Sequence, residues 1–550
     1  MELLAALVAW SLRHRPVVLV ATLLCVLVGA RAALTLPIDA VPDVTGVQVQ
    51  IITASPALSP LEVEQYVSVP IERAMAGLPR TTEIRSIAKY GLSVVTVVFD
   101  DATDIYFARQ LVNERMREAQ EAVPETYGKP TMGPISSGLG EVFHFVVRSD
   151  SLDLMQLEEL LDWQIGPALR TVPGVVEVNT FGGHDRQYQV IIDPGRLQAT
   201  GLALAPVIEA LKRSNANAGG GYLEHNREHV VIGTEGLVRD LDDLRGVVVG
   251  ATPQGVPITL ATVAEVQFGP RIRRGAATMD GQGEVAMGMA MMLLGENART
   301  VTAAVKARLA QIAPSLPPGT RIEPVYDRAV LVDRTIHTVG KNLLEGAVLV
   351  VAVLLLLLGD LRAGLVVAVT IPLSLLFAVT WMKALGLSGN LMSLGAVDFG
   401  LLVDGAVIIV ENAVRRLSEA QARAGRALTP DERRGVVEAS TLEVRSASLF
   451  GEAIIAIVYV PVLALTGVEG KMFRPMATTV LLALAGAFVL SLTVVPVLTS
   501  LVVRPHEAAH EPWLLRQASR AFGPAFAVAL RWRRATVGIG VLVLAGAVAV

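Results

Sequence analysis

Three carboxylates sit in the apolar stretch LGAVDFGLLVDGAVIIVENAVRR, Leu394 to Arg416: Asp398, Asp404 and Glu411. On insertion scales each costs about 2.5–3.5 kcal/mol near the middle of a bilayer, so a helix that only anchors a chain does not accumulate three. At 3.6 residues per turn Asp404 and Glu411, seven apart, share a face, and Asp398 points about a third of a turn away. Gly395, Gly400 and Gly405, with Ala396 and Ala406, let neighbouring helices approach closely and place this one inside a bundle. Three chemistries compete. In a structural lock, protonated or paired acids hold helices together. In an intramembrane aspartyl protease, two aspartates share a proton; they must come within hydrogen-bond reach, whereas six residues separate Asp398 and Asp404 by ~9 Å along one helix. In a proton relay, desolvation brings a carboxylate towards neutral pKa, so that it loads a proton on one side and releases it on the other. The sequence favours the relay.

The elements that must position these groups follow from hydropathy. The chain has 550 residues, 52% of them hydrophobic, and a mean hydropathy of +0.52, which is a membrane-protein composition. A net charge of −4 argues against a nucleic-acid partner. The single cysteine, Cys25, excludes an intrachain disulfide and a cysteine metal cluster. Residues 1–15 read as an interfacial helix. Residues 16–34 read as an uncleaved first span, long and without a clear cleavage site. Further spans are expected at 337–358, 364–385, 391–412, 446–466 and 475–502, with a seventh starting at 535–550 and an amphipathic helix at 512–534. Arginines crowd the 413–445 connection (Arg415, Arg416, Arg423, Arg426, Arg433, Arg434, Arg445) and the segment before residue 535, whereas opposite short loops hold only Lys383, Lys471 and Arg474. The positive-inside rule makes 413–445 a cytoplasmic loop and 512–534 cytoplasmic, with the N-terminus inside and the ~300-residue soluble region outside.

That soluble region repeats. Ile71–Asp100 and Ile165–Asp193 both run helix end, Leu-Pro or Val-Pro, short strand, Gly turn and alternating strand ending in Asp. Each is preceded by a strand and a helix and followed by another helix, the β-α-β-β-α order of a split βαβ unit. A third pass covers Glu284–Leu294, Ala298–Ala313 and Arg321–Tyr326, and the Gly-rich Asn217–Gly269 reads as a small β subdomain with a hairpin.

DFGLLVDGAVIIVEN, Asp398 to Asn412, resembles the fourth-span motif of heavy-metal efflux pumps of the resistance–nodulation–division superfamily, in its divalent-cation, cobalt–zinc–cadmium branch. LPIDAVPDVT (Leu36–Thr45), PISSGLGEV (Pro134–Val142), GVVEVNTFGG (Gly174–Gly183), YQVIID (Tyr188–Asp193) and YDRAVLVDRTI (Tyr326–Ile336) resemble it too, in the same order. The resemblance implies an α-helical transmembrane bundle plus α+β periplasmic porter subdomains (repeated split βαβ, ferredoxin-like) and part of a β-rich docking subdomain. Porter subdomains fall at 35–134 and at 135–216 with 275–330, and the docking part at 217–274. It also implies a multi-pass inner-membrane homotrimer working with a periplasmic adaptor and an outer-membrane channel, with no cofactor and no enzymatic reaction. This chain would be the amino-terminal half of such a pump. Inward proton flow through Asp398, Asp404 and Glu411 would drive export of Zn²⁺, Co²⁺ or Cd²⁺, and also of Ni²⁺. The copper and silver branch lacks the aspartate matched by Asp398.

Borderline divalent cations take carboxylates and imidazoles. The resemblance makes Glu141, Glu177 and His144 a metal path, with Asp39 and Asp43 at its entrance; each acid also reads as a solvated surface group. His225 and His229 have i,i+4 zinc spacing, but in a hairpin they stand ~13 Å apart. Met287, Met289 and Met291 share one strand face; thioethers suit Cu⁺, and such a face equally suits a core. Export of Cu⁺ or Ag⁺, export of organic compounds (disfavoured by 5% aromatic content) and a structural membrane scaffold are the rival readings.

Overall fold

The structure is a computed structural model that describes residues 2–549 apart from 40, 218, 226, 234–235, 274, 359, 396–398 and 505–512. It divides into two compact units. One comprises Met1–Leu139, Leu294–Arg299 and Arg328–Val550; the other comprises Gly140–Leu293 and Thr300–Asp327.

Among its described residues the first unit holds five helices long and apolar enough to cross a membrane, or six if the bent pair Pro430–Arg445 and Ser448–Leu463 counts as one span. Leu361–Ala384 lies at the centre of the bundle and packs against Arg15–Thr35, Phe399–Ala424 and Gly467–Leu492. Small residues set these approaches: a Cβ on Gly29 would lie 2.8 Å from that of Leu376, and one on Gly486 2.8 Å from the Phe377 ring. Lys383 donates to Thr35 Oγ1, and Lys471 donates to the Thr45 carbonyl at 2.8 Å and pairs with Asp101 at 2.5 Å. Those helix ends therefore lie on the side of this unit's soluble part.

The expected loop 413–445 is mostly helix. Phe399–Ala424 and Pro430–Leu463 are joined by residues 425–429, with Gly425 at φ +62° and a capping box between Thr429 and Glu432. Most of the arginines there are matched by acids, among them Arg423 with Glu419 at 3.2 Å and Arg416 with Glu443 on the facing helix, so charge density does not oblige the chain to be a loop.

The soluble part of this unit is a four-stranded sheet ordered Thr81–Lys89, Leu92–Phe99, Gln48–Ala54, Thr131–Met132. Helix Ile105–Ala122 starts at Asp104, whose carboxylate accepts from the Tyr106 and Phe107 amides, and buries Ala108, Val112, Met116 and Ala119 along one stripe. These meet Val49, Ile51, Val95, Val97 and Phe99.

In the second unit Glu284–Met292 is a central strand paired antiparallel with both Glu141–Arg148 and Val175–Gly182; Arg321–Asp327 pairs on the far side of Glu141–Arg148. Its helix-facing surface buries Phe143, Phe145, Val147, Val178, Ala286 and Ala290 with Leu157, Leu161, Ile165 and Val305. Strand Arg186–Ile192 pairs with Ala264–Pro270, and Gly219–His225 forms a hairpin with Glu228–Gly233. Each unit has a helix with a π turn just before a proline: Glu64–Ser68 before Pro70, and Leu161–Ile165 before Pro167. Proline lacks the N–H that a regular helix would use there.

Candidate functional site

Asp404 and Glu411 lie on one exposed face of helix Phe399–Ala424, whose other faces bury Leu402, Val403, Ala406, Ile409, Val410 and Ala413. Asp398 lies outside the described residues. Intramembrane acids look into a bundle interior or a watery cavity rather than at lipid, and among the described residues nothing covers this acidic face. Asn412, beside Glu411, is buried and ties the helix to its neighbour: its amide donates to the Ser440 carbonyl at 2.8 Å and to Glu443 at 3.2 Å.

The facing helix carries a charge pair that sequence reasoning missed. Arg445, counted above as a loop cation, is 1% exposed. Its guanidinium donates to both Glu452 oxygens, at 3.5 and 3.4 Å, and to Ser491 Oγ at 3.1 Å, and lies 4.3 Å from the centre of the Phe488 ring. Ser448 donates to Glu452 at 3.2 Å. Gly405 makes room for this carboxylate: a Cβ there would lie 2.1 Å from Glu452 Oε1. A fourth acid, charge-balanced by arginine, thus sits against the residue next to Asp404. The available signal was an arginine and a glutamate seven residues apart, on one face of an apolar helix.

Glu141, Glu177 and His144 come together on the second unit's sheet. Met291 pairs in register with Glu141 on one neighbouring strand and Glu177 on the other, and Met289 pairs with His144 and Asn179. Directly paired residues share a face, so the acids, the imidazole and the methionines all lie on the face opposite the helices. A register shift at Ala290/Met291 re-aims Glu141 onto it. His144 Nε2 is 3.2 Å from Glu141 Oε2, out of line for a hydrogen bond, and the ring packs on Tyr326 at 5.0 Å. Asn179 donates to Met291 Sδ at 3.1 Å, and Met289 is 7% exposed. The methionines are therefore partly committed to packing, while Glu141 keeps half its side chain exposed. His225 and His229 are not ~13 Å apart along one strand: the turn brings them into neighbouring cross-strand pairs, His225 with Glu228 and His229 with Glu224, on opposite faces of the hairpin, and His229 stacks on Tyr222.

The two entrance acids differ. Asp39 is gripped through both oxygens by Arg328 at 3.0 and 2.8 Å, and that arginine, 5% exposed, also donates to the Leu139 carbonyl. A bidentate guanidinium occupies the lone pairs a metal would need, so Asp39 anchors the start of helix Arg328–Leu358 rather than offering an open ligand. Asp43 is exposed, accepts from the Thr45 amide at 3.0 Å, and lines a cavity of about 730 Å³ with Asp100, Asp101, Lys471 and Arg474.

A bundle of apolar helices bearing acids on one helix, with α+β soluble parts, defines a multi-pass membrane protein. The chain belongs to the AcrB/AcrD/AcrF family, whose model matches residues 7–550. It is 48% identical to the cobalt-zinc-cadmium resistance protein CzcA of Cupriavidus metallidurans over 94% of this chain and 49% of that protein. It is 41% identical to the nickel and cobalt resistance protein CnrA of the same organism over 99% of this chain and 53% of that one. A crystal structure of a heavy metal efflux pump superposes with a TM-score of 0.83 at 35% identity, covering 98% of this chain and 51% of that one. The resemblance to heavy-metal efflux pumps read from the motifs is borne out, and the chain spans about half the length of the relatives it matches.

Proposed function

We propose that the protein exports divalent heavy-metal cations (Zn²⁺, Co²⁺, Cd²⁺ and also Ni²⁺) in exchange for protons, and catalyses no covalent reaction. The observation that carries this reading is the sheet face on which Glu141 and Glu177 flank Met291, with His144 in the next pair on that face, opposite Met289. Carboxylates and an imidazole suit borderline divalent ions, and few ligands let a transported ion leave. Names of relatives such as the cobalt-zinc-cadmium protein support the same cargo. Asp398, Asp404 and Glu411 relay protons; occupancy of Asp404 and Glu411, on one helix face, biases the bundle between states.

In this reading the protein sits in a bacterial inner membrane as a homotrimer with its N-terminus in the cytoplasm. The ferredoxin-like porter subdomains and the docking part at 217–274 stand in the periplasm and meet an adaptor and an outer-membrane channel. Asp43 belongs to the entry path, with the cavity it shares with Asp100 and Asp101. The half-buried Met287 and Met291 on the same face favour Cu⁺ as the second reading. Flux of Zn²⁺, Co²⁺, Cd²⁺ and Cu⁺ by the full-length protein in proteoliposomes separates the two. Glu177→Gln is expected to abolish divalent flux and Met291→Leu to spare it, whereas the reverse pattern refutes the divalent reading.

A further inference from the structure

The second unit holds a carboxylate cluster on the opposite side of its sheet from Glu177. Glu158 and Asp162, one turn apart on the helix over the sheet, meet Asp185 from the turn after strand Val175–Gly182, and one oxygen of each lies within 4.8 Å of the others. Thr180 belongs to the other parity of that strand from Glu177 and donates to Asp162 Oδ1 at 3.1 Å, which fixes the cluster on the helix-covered side. Glu158 decides its meaning. It is 5% exposed, and its Oε2 is buried with no hydrogen-bond partner among the described residues. The turn closes over that oxygen at Gly183, where φ is +66° and a Cβ would lie 2.5 Å from Oε2. A buried, unpartnered carboxylate oxygen is expensive, and the same side chain brings an oxygen within 4.8 Å of two further carboxylates.

Among the described residues the neighbouring cations only partly balance the cluster: Arg170 acts on Asp162 through space while its guanidinium donates to the Val178 carbonyl at 3.3 Å. Arg186 is spent on Glu159 at 2.5 Å and lies over Phe268. Arg271 reaches Asp185 Oδ2 at 3.3 Å in an exposed pair. The donors are all oxygen; the Nδ1 of His184, beside Asp185, is buried without a partner but is not among the converging atoms. A hard cation held at 2.3–2.6 Å keeps its oxygen ligands within ~5 Å of one another, and oxygen-only donors select such ions over softer ones.

We propose that Glu158, Asp162 and Asp185 bind a Ca²⁺-class divalent cation that clasps the 182–185 turn to the helix, separate from the transport path.

The test uses the full-length protein in detergent, stripped with a chelator and titrated with Tb³⁺ by luminescence, then with Ca²⁺ or Zn²⁺ as competitor. Wild type is expected to hold one more Ca²⁺-displaceable Tb³⁺ per chain than Asp185→Asn, an exposed and mild change. Glu158→Gln should weaken Ca²⁺ binding by roughly tenfold or more and should abolish the Ca²⁺-dependent rise in unfolding temperature. Equal stoichiometry and affinity in wild type and both variants overturns the site. Displacement by Zn²⁺ but not by Ca²⁺ overturns the hard-cation assignment.

Discussion

Replacing Glu452 by glutamine removes the counter-charge of Arg445 while preserving shape. The guanidinium is 1% exposed and the carboxylate 14%, so water cannot take the lost partner's place. Removing one member of a buried pair costs about 3–5 kcal/mol, because the survivor remains charged and buried. Arg445 keeps the Ser491 hydroxyl and the Phe488 ring, and a desolvated cation–π contact offers about 2 kcal/mol. The loss should therefore fall near the lower end, about 3 kcal/mol. Arg445→Met leaves Glu452 without its counter-charge, with Ser448 as its donor among the described residues, and should be at least as severe. The double substitution removes both charges and should recover most of the loss, since apolar replacements of buried pairs are often neutral or stabilising. Apparent unfolding temperatures of the four proteins in one detergent complete the cycle. Single substitutions at wild-type temperature, or a double as damaging as the sum, refute the claim that these charges hold the two helices together.

Three further outcomes follow from the same geometry. In chelator, Glu158 has a folded-state pKa of about 7, above its ordinary 4.5, so the folded state prefers it protonated. Its stabilising contribution is complete below pH 4.5 and is lost as pH rises through 7. The gap bounds the effect at ~3 kcal/mol before solvent screening, and Glu158→Gln should flatten thermal stability against pH between 5 and 8. Asp39→Asn takes the carboxylate from buried Arg328 and leaves it the Leu139 carbonyl among the described residues, and should lower stability by about 3 kcal/mol or less; metal affinity measured by calorimetry should not change. Glu141→Gln, at a half-exposed site, should weaken Zn²⁺ binding in the same calorimetric titration with little change in unfolding temperature.

How legible each feature was depends on the range of its contacts. Apolar runs announced the long helices because hydropathy is local, and the motif acids Asp404 and Glu411 fell on one face as helical period requires. The seven-residue spacing of Arg445 and Glu452 was equally visible, but a run of arginines disguised the first as a loop residue. Strand parity placed Met287, Met289 and Met291 together, yet the meeting of Glu141 and Glu177 across Met291 depends on register and on a bulge that no single strand reveals. Asp39 looked like Asp43 in sequence; only the fold brings Arg328, 289 positions away, onto it. Glu158 and Asp162 show an i,i+4 spacing, whereas Asp185 joins them through a turn after a different strand.

The most direct measurement of the central claim is metal flux under an imposed proton gradient, with the full-length protein in proteoliposomes, for wild type and Asp404→Asn. The account predicts gradient-dependent movement of Zn²⁺, Co²⁺ or Cd²⁺ in wild type and none in a variant that folds and binds metal normally. A variant that pumps as well as wild type, or a wild type that moves divalent metal without regard to the proton gradient, would contradict it.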